Sequence, residues 1–106
     1  IYGDGLQSRD FCFIDDVVSA NLLAADAADA PGGIFNIACG EAISLNQVLG
    51  HLEGIVGHAV ERRHEPARLG DVRHSLADIA SARAILKYQP GFSFAEGLRK
   101  TVDWFR

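Results

Sequence analysis

The residues best placed to do chemistry in this chain are two arginine-centred groups. In "ARLGDVRHS", Arg68 and Asp71 flank Gly70. A guanidinium there can grip a diphosphate through paired N–H donors while the carboxylate accepts from two vicinal ribose hydroxyls, a combination that suits a nucleotide. An Arg-x-Gly-Asp sequence is also common in plain solvated loops. Arg9 follows a turn whose glycines, Gly3 and Gly5, permit close backbone approach, which suits a guanidinium that clamps a phosphate. On position alone, an ion pair with a neighbouring carboxylate is the simpler reading of Arg9.

Other chemistries find less support. The opening "IYGDGLQSRDF" contains G-x-G-x-x-S, close to a dinucleotide-binding fingerprint. That fingerprint works only where a strand enters the turn and a helix leaves it with its N-terminus toward the pyrophosphate. Only Ile1 and Tyr2 precede this turn, Ser8 replaces the third glycine, and the exit has strand character, so no cofactor-binding residue is assigned. His51 and His58 are seven residues apart, too far for an i, i+4 ligand pair, and His64 and His74 belong to no readable triad; no metal ligand is assigned. Tyr2 and Tyr88 lack a lysine four residues on, so neither has the partner that would lower a phenol's pKa. No nucleophile, base and orienting group can be assembled, and no catalytic residue is assigned.

The elements that must position Arg9, Arg68 and Asp71 are those of an α/β chain. Its 106 residues are read as a single domain, 1–106, with 48% hydrophobic and 23% charged residues. A net charge of -4 argues against nucleic acid as a partner. No apolar run is long enough to span a bilayer and no signal segment opens the chain, so the expected location is the cytoplasm, without a membrane partner. Cys12 and Cys39, single and without C-x-x-C spacing, are expected to be buried free thiols. The chain lacks methionine and starts at Ile1 inside a motif, which reads as a fragment of a longer protein.

Phe11 to Ile14, all apolar, predict a strand buried on both faces. Asp15 and Asp16 open a helix through "VVSANLLAADAADA", with Val18, Leu22 and Ala25 on one face, ending before Pro31. "IFNIA" is a short strand candidate. Ser44 and Gln47 form a capping box for a helix that Gly57 stops, and Ser93 and Glu96 form another for a final helix with Phe94, Leu98, Val102 and Phe105 on one face. "VERRHEP" predicts an exposed extended segment, and Asp78 a helix through Leu86.

"GDGLQSRDFCFIDDVVSANLLAA", "IFNIACGEAISLNQVL", "RLGDVRHSLADIASARAILKYQP" and "FSFAEGLRKTVDWF" together resemble the C-terminal part of the extended short-chain dehydrogenase/reductases, the NAD-dependent nucleotide-sugar epimerases and dehydratases. "RDFCFID" with "GDVRHSLAD" is most similar to the UDP-N-acetylglucosamine 4-epimerase subgroup. The resemblance implies a C-terminal substrate-binding portion, with helices packed on a short mixed sheet and the Rossmann half missing. It implies that Arg9 and Arg68 hold the diphosphate of a UDP-sugar and Asp71 its ribose. Ser75 would lie beside the sugar ring, where a small hydroxyl leaves room for an N-acetyl group. The parent enzyme would use NAD to oxidise and re-reduce sugar C4, but the glycine motif and Tyr-x-x-x-Lys belong to its N-terminal portion. This chain, with no cofactor of its own, is therefore expected to bind and not to catalyse. A dehydratase or decarboxylase of the same family is the alternative. So is a free-standing binding module, a homo-oligomer joined through the surface left by the missing half.

Overall fold

The computed structural model describes residues 1–106. Its centre is a narrow sheet built around Ser8. Strand β1 (Ser8–Arg9) pairs antiparallel with β2 (Ile43–Ser44), Ser8 opposite Ser44 and Arg9 opposite Ile43. On its other side Ser8 bridges His74 in parallel, with Ser8 N–H donating to Arg73 O at 3.0 Å and Ser75 N–H donating to Ser8 O at 3.1 Å. The sheet is thus short and mixed, as expected. A second parallel bridge joins Tyr2 to Glu65, so the exposed 61–66 stretch runs beside the chain's opening residues.

The chain forms three α-helices: α1 (Ile14–Asp26), α2 (Leu45–Val56), which follows directly on β2, and α3 (Phe94–Phe105). Both capping boxes form as the sequence predicts, Ser44 with Gln47 and Ser93 with Glu96, each satisfying N–H groups that have no partner within the first turn. Gly57 ends α2 in the left-handed region, at φ +81°, and its N–H donates to Glu53 O. α2 and α3 pack against each other, with the His51 ring edge-on to Phe94 at 5.2 Å. No helix is long and apolar enough to cross a membrane.

Five expectations need correction. Phe11 to Phe13 form no strand, because no ladder partner lies beside them; their rings pack instead, Phe11 on Phe94 at 5.5 Å and Phe13 on Phe92 at 4.9 Å. "IFNIA" also stays outside any strand, since no ladder partner lies beside it; just after it the Asp10 carboxylate accepts from the N–H groups of Cys39 and Gly40, each at 2.8 Å. In α1 the buried face is Asp16, Ala20, Leu23 and Ala24, and the Val18–Leu22 stripe is exposed, at 50% and 65%. Cys12 and Cys39 are free but only half-buried.

The helix foreseen from Asp78 forms late and wide. Asp78 Oδ1 accepts from Ala80 N–H, and the chain then makes a π-helical turn over Ala82–Leu86 that closes on Lys87, at φ +58°. This turn delivers Leu86 and Tyr88 to the core, where Ala20, Ala30, Ala38, Ile79 and Ala82 also sit. Tyr88 is fully buried, and its hydroxyl donates to Ala38 O at 2.8 Å. The core is small: 13 of 106 residues are buried, leaving Ile14, Val18, Leu22 and Trp104 on the surface.

The opening turn is held by its glycines and one ion pair. Gly3 and Gly5 have φ of +81° and +77°, and Gly5 lies against the Asn46 amide, which donates to Asp4 O at 3.0 Å. Asp4 takes two N–H bonds from Arg73, both at 2.9 Å, and these hold its carboxyl well below its ordinary 3.8, at about 2. We expect Gly57→Ala, open on all sides, to cost about 1–2 kcal/mol from φ alone. Gly5→Ala adds a collision with Asn46 worth about 1–3 kcal/mol more, so urea denaturation should rank Gly5→Ala clearly below Gly57→Ala. Because the Asp4 pKa is depressed on folding, its stabilisation is present above pH 3.8 and is lost as pH falls toward about 2. Asp4→Asn should therefore flatten the acid limb of the stability–pH curve in that window, and an unchanged limb would contradict the pairing.

Candidate functional site

The central strand carries Arg9 to the edge of the sheet, and the neighbouring segment carries Asp71. Arg9 Nη2 donates to Asp71 Oδ1 at 2.9 Å, while Nη1 donates to Ser8 O at 2.7 Å and reaches Arg73 O at 3.5 Å. The simpler sequence reading of Arg9, an ion pair, therefore describes its contact. Its partner is the carboxylate that the nucleotide reading singles out. Both side chains remain about one third exposed, 31% and 38%, so the pair faces solvent and not the core.

Asp71 and Arg68 are joined by a tight turn, in which Asp71 N–H donates to Arg68 O at 3.3 Å and Gly70 takes φ +81°. Only glycine adopts that third-position geometry without strain. The Arg68 guanidinium lies over the Tyr2 ring, 5.0 Å from its centroid. Ser75 is exposed and tied to the central strand by its own N–H on Ser8 O. Arg9, Asp71 and Ser75 are thus brought to one sheet edge by backbone pairing, and Arg68 sits one turn away on the same segment.

Several residues of this edge escaped the sequence reading. Arg73 and Asp4 fix the 64–75 segment to the opening turn. His74 Nδ1 is 2.8 Å from Ser8 Oγ, and His64 Nδ1 is 2.7 Å from Gly3 O, so both loop histidines serve this seam. Gln7 is buried, donates through Nε2 to Tyr2 O at 2.8 Å, and leaves Oε1 without a partner. Tyr2 offers a flat support for Arg68. No spacing rule exposes these contacts, because residues near 3 and near 70 meet only through parallel pairing.

The electrostatics of the edge run against the whole chain. The chain carries a formal -4, yet the guanidinium groups of Arg9, Arg68 and Arg73 stand here against two carboxylates, Asp4 and Asp71. A guanidinium has five N–H donors, so Arg9 keeps donors free beyond those it uses on Asp71 and the backbone. Such an edge can take an anion with two acidic groups, and Asp71 Oδ2 can accept from a hydroxyl.

The profile of the NAD dependent epimerase/dehydratase family matches residues 1–38. UDP-glucose 4-epimerase of Mycolicibacterium smegmatis is 42% identical over the whole chain, which covers 34% of that protein. Among solved structures, UDP-glucose 4-epimerase of Thermotoga maritima with UDP-glucose superposes with a TM-score of 0.92 at 42% identity, over 100% of this chain and 34% of the other. UDP-N-acetylglucosamine 4-epimerase of Methanobrevibacter ruminantium, in complex with UDP-N-acetylmuramic acid, superposes at 0.90 with 35% identity, over 99% of this chain and 33% of the other. The chain spans about a third of the length of these relatives. In sequence and fold alike, it is similar to members of the NAD dependent epimerase/dehydratase family, aligning with their C-terminal third.

Proposed function

We propose that this chain is the UDP-sugar-binding part of an NAD-dependent UDP-sugar 4-epimerase. The observation that carries the reading is the Arg9–Asp71 contact, with Arg68 joined to Asp71 by a tight turn and its guanidinium resting on the Tyr2 ring. The likeness to epimerases solved with UDP-glucose and with another UDP-sugar supports it. In this reading the diphosphate takes the free donors of Arg9 and the guanidinium of Arg68. Asp71, partly neutralised by Arg9, accepts from the ribose hydroxyls. Ser75, small and exposed beside the central strand, leaves space for a bulky sugar substituent.

The cofactor of the parent enzyme, NAD, would carry the hydride at sugar C4. The opening glycine turn does not fit as its cradle. It runs into β1 and not into a helix, and a side chain at Gly5 would collide with Asn46, so that glycine answers to packing within the chain. The chemistry derived for the present residues is accordingly binding and orientation.

A second reading, self-association, is favoured by the exposed Ile14, Val18 and Leu22, which recur every fourth residue along α1. Size-exclusion chromatography over a range of concentrations tests it: a mass that rises with concentration supports it, and a constant monomer removes it.

Calorimetric titration with UDP tests the main reading. Arg68→Ala and Arg9→Ala should each weaken UDP binding by about 10- to 100-fold, the worth of a charge-assisted hydrogen bond of about 1.5–3 kcal/mol. Ser75→Phe should weaken UDP-N-acetylglucosamine selectively and leave UDP itself unchanged. No heat with UDP, or equal affinities in wild type and both arginine variants, rules the site out.

A further inference from the structure

Away from this edge, the start of α1 brings together three donors that the site does not use. The Sγ atoms of Cys12 and Cys39 and a carboxylate oxygen of Asp16 all lie within 4.8 Å of one another. Asp16 is 97% buried by its 3% exposure, an unusual place for a carboxylate in a helix whose other buried residue is alanine. Its Oδ1 accepts from Gly91 N–H at 2.7 Å, but its Oδ2 is buried without any partner. An orphaned carboxylate oxygen beside two thiols lacks the compensation that burial of a charge requires.

We propose that Cys12, Asp16 and Cys39 bind a single soft divalent cation of the zinc type. Zn–S bonds of about 2.3 Å and Zn–O bonds of about 2.0–2.2 Å place tetrahedral donors roughly 3.5–3.8 Å apart, so side-chain rotations of about an ångström close the site. Two thiolates favour zinc over magnesium or calcium, which prefer oxygen alone. The surroundings already hold two of the three donors in place. Gly91 N–H fixes the Asp16 carboxylate, Asp10 fixes the backbone of Cys39, and Tyr88 fixes the carbonyl just before it. A cavity of about 400 Å³ opens beside both cysteines, walled by Phe11, Phe92 and Leu98, and gives an entry path and room for a water as fourth ligand.

The binding step involves no redox change. Each thiol releases its proton to solvent, two metal–sulfur bonds and one metal–oxygen bond form, and the ion sheds water in exchange. The four histidines lie outside the cluster, since His51 packs on Phe94, His64 and His74 serve the seam described above, and His58 contacts Ala59 O.

Anaerobic titration of the reduced protein with Co²⁺ reads the site directly. One equivalent should produce sulfur-to-cobalt charge-transfer absorption and the visible bands of a tetrahedral ion, both erased by one equivalent of Zn²⁺. Cys12→Ser and Cys39→Ser should each abolish the charge-transfer band while retaining helical circular dichroism. Asp16→Asn, which keeps the bond to Gly91, should lower Co²⁺ affinity by at least about tenfold, a loss that even outer-shell partners produce. No charge-transfer band in the folded, reduced wild type overturns the proposal. So does a band that survives in either serine variant, or an unchanged affinity in Asp16→Asn.

Discussion

The two-sided pairing of Ser8 organises this molecule. One edge of that residue takes β2 in antiparallel register, and the other takes the His74 bridge in parallel, so a single backbone position ties the opening of the chain to segments near residues 44 and 74. These bonds are only 3.0–3.1 Å long on the parallel side and leave Ser8 buried, with its hydroxyl on His74. A parallel pair needs a long connection, and here the intervening chain supplies α1, β2 and α2. Remove that pairing, and Arg9 and Asp71 lose their reason to meet.

Around this seam, side chains carry loads that backbone ladders bear elsewhere. Asp10 accepts from consecutive backbone N–H groups, Asn46 donates to the opening turn, and Arg73 grips Asp4 with two bonds. Exposed ion pairs add little individually, so their value here is geometric: they fix where two irregular segments run side by side. Only 13 residues are buried, and such a chain relies on these polar clasps for the position of its loops. The buried Tyr88 does the corresponding work on the other side, where its hydroxyl reaches Ala38 O and its ring fills a core otherwise made mostly of alanine.

The arginine-bearing edge and the cysteine cluster follow from the same logic in opposite surroundings. At the edge, guanidinium groups stay in water, where they can exchange a carboxylate partner for a phosphate at modest cost. Beneath α1, an Asp16 carboxylate is withdrawn from water with one oxygen unmatched, so a partner is worth far more there. The chain's negative formal charge masks both features, since one is a local cationic edge and the other a buried donor group.

What the sequence settles by itself is whatever depends on neighbours a few residues apart. The capping boxes at Ser44 and Ser93, the Gly57 stop and the largely exposed character of "VERRHEP" are local chemistry, and each is legible from spacing. Phe11 to Ile14 and "IFNIA" show the limit of that legibility, because a strand exists only where another backbone lies alongside, and neither segment has one. The orientation of α1 is likewise decided from outside: its Val18–Leu22 stripe is as apolar as a core face, yet Tyr88 and the π-helical turn claim the Ala20 side. The meeting of Arg9 with Asp71, and of Cys12 with Cys39, belongs wholly to the tertiary structure. Residues dozens of positions apart are brought together by nonlocal pairing and packing, which no local periodicity encodes.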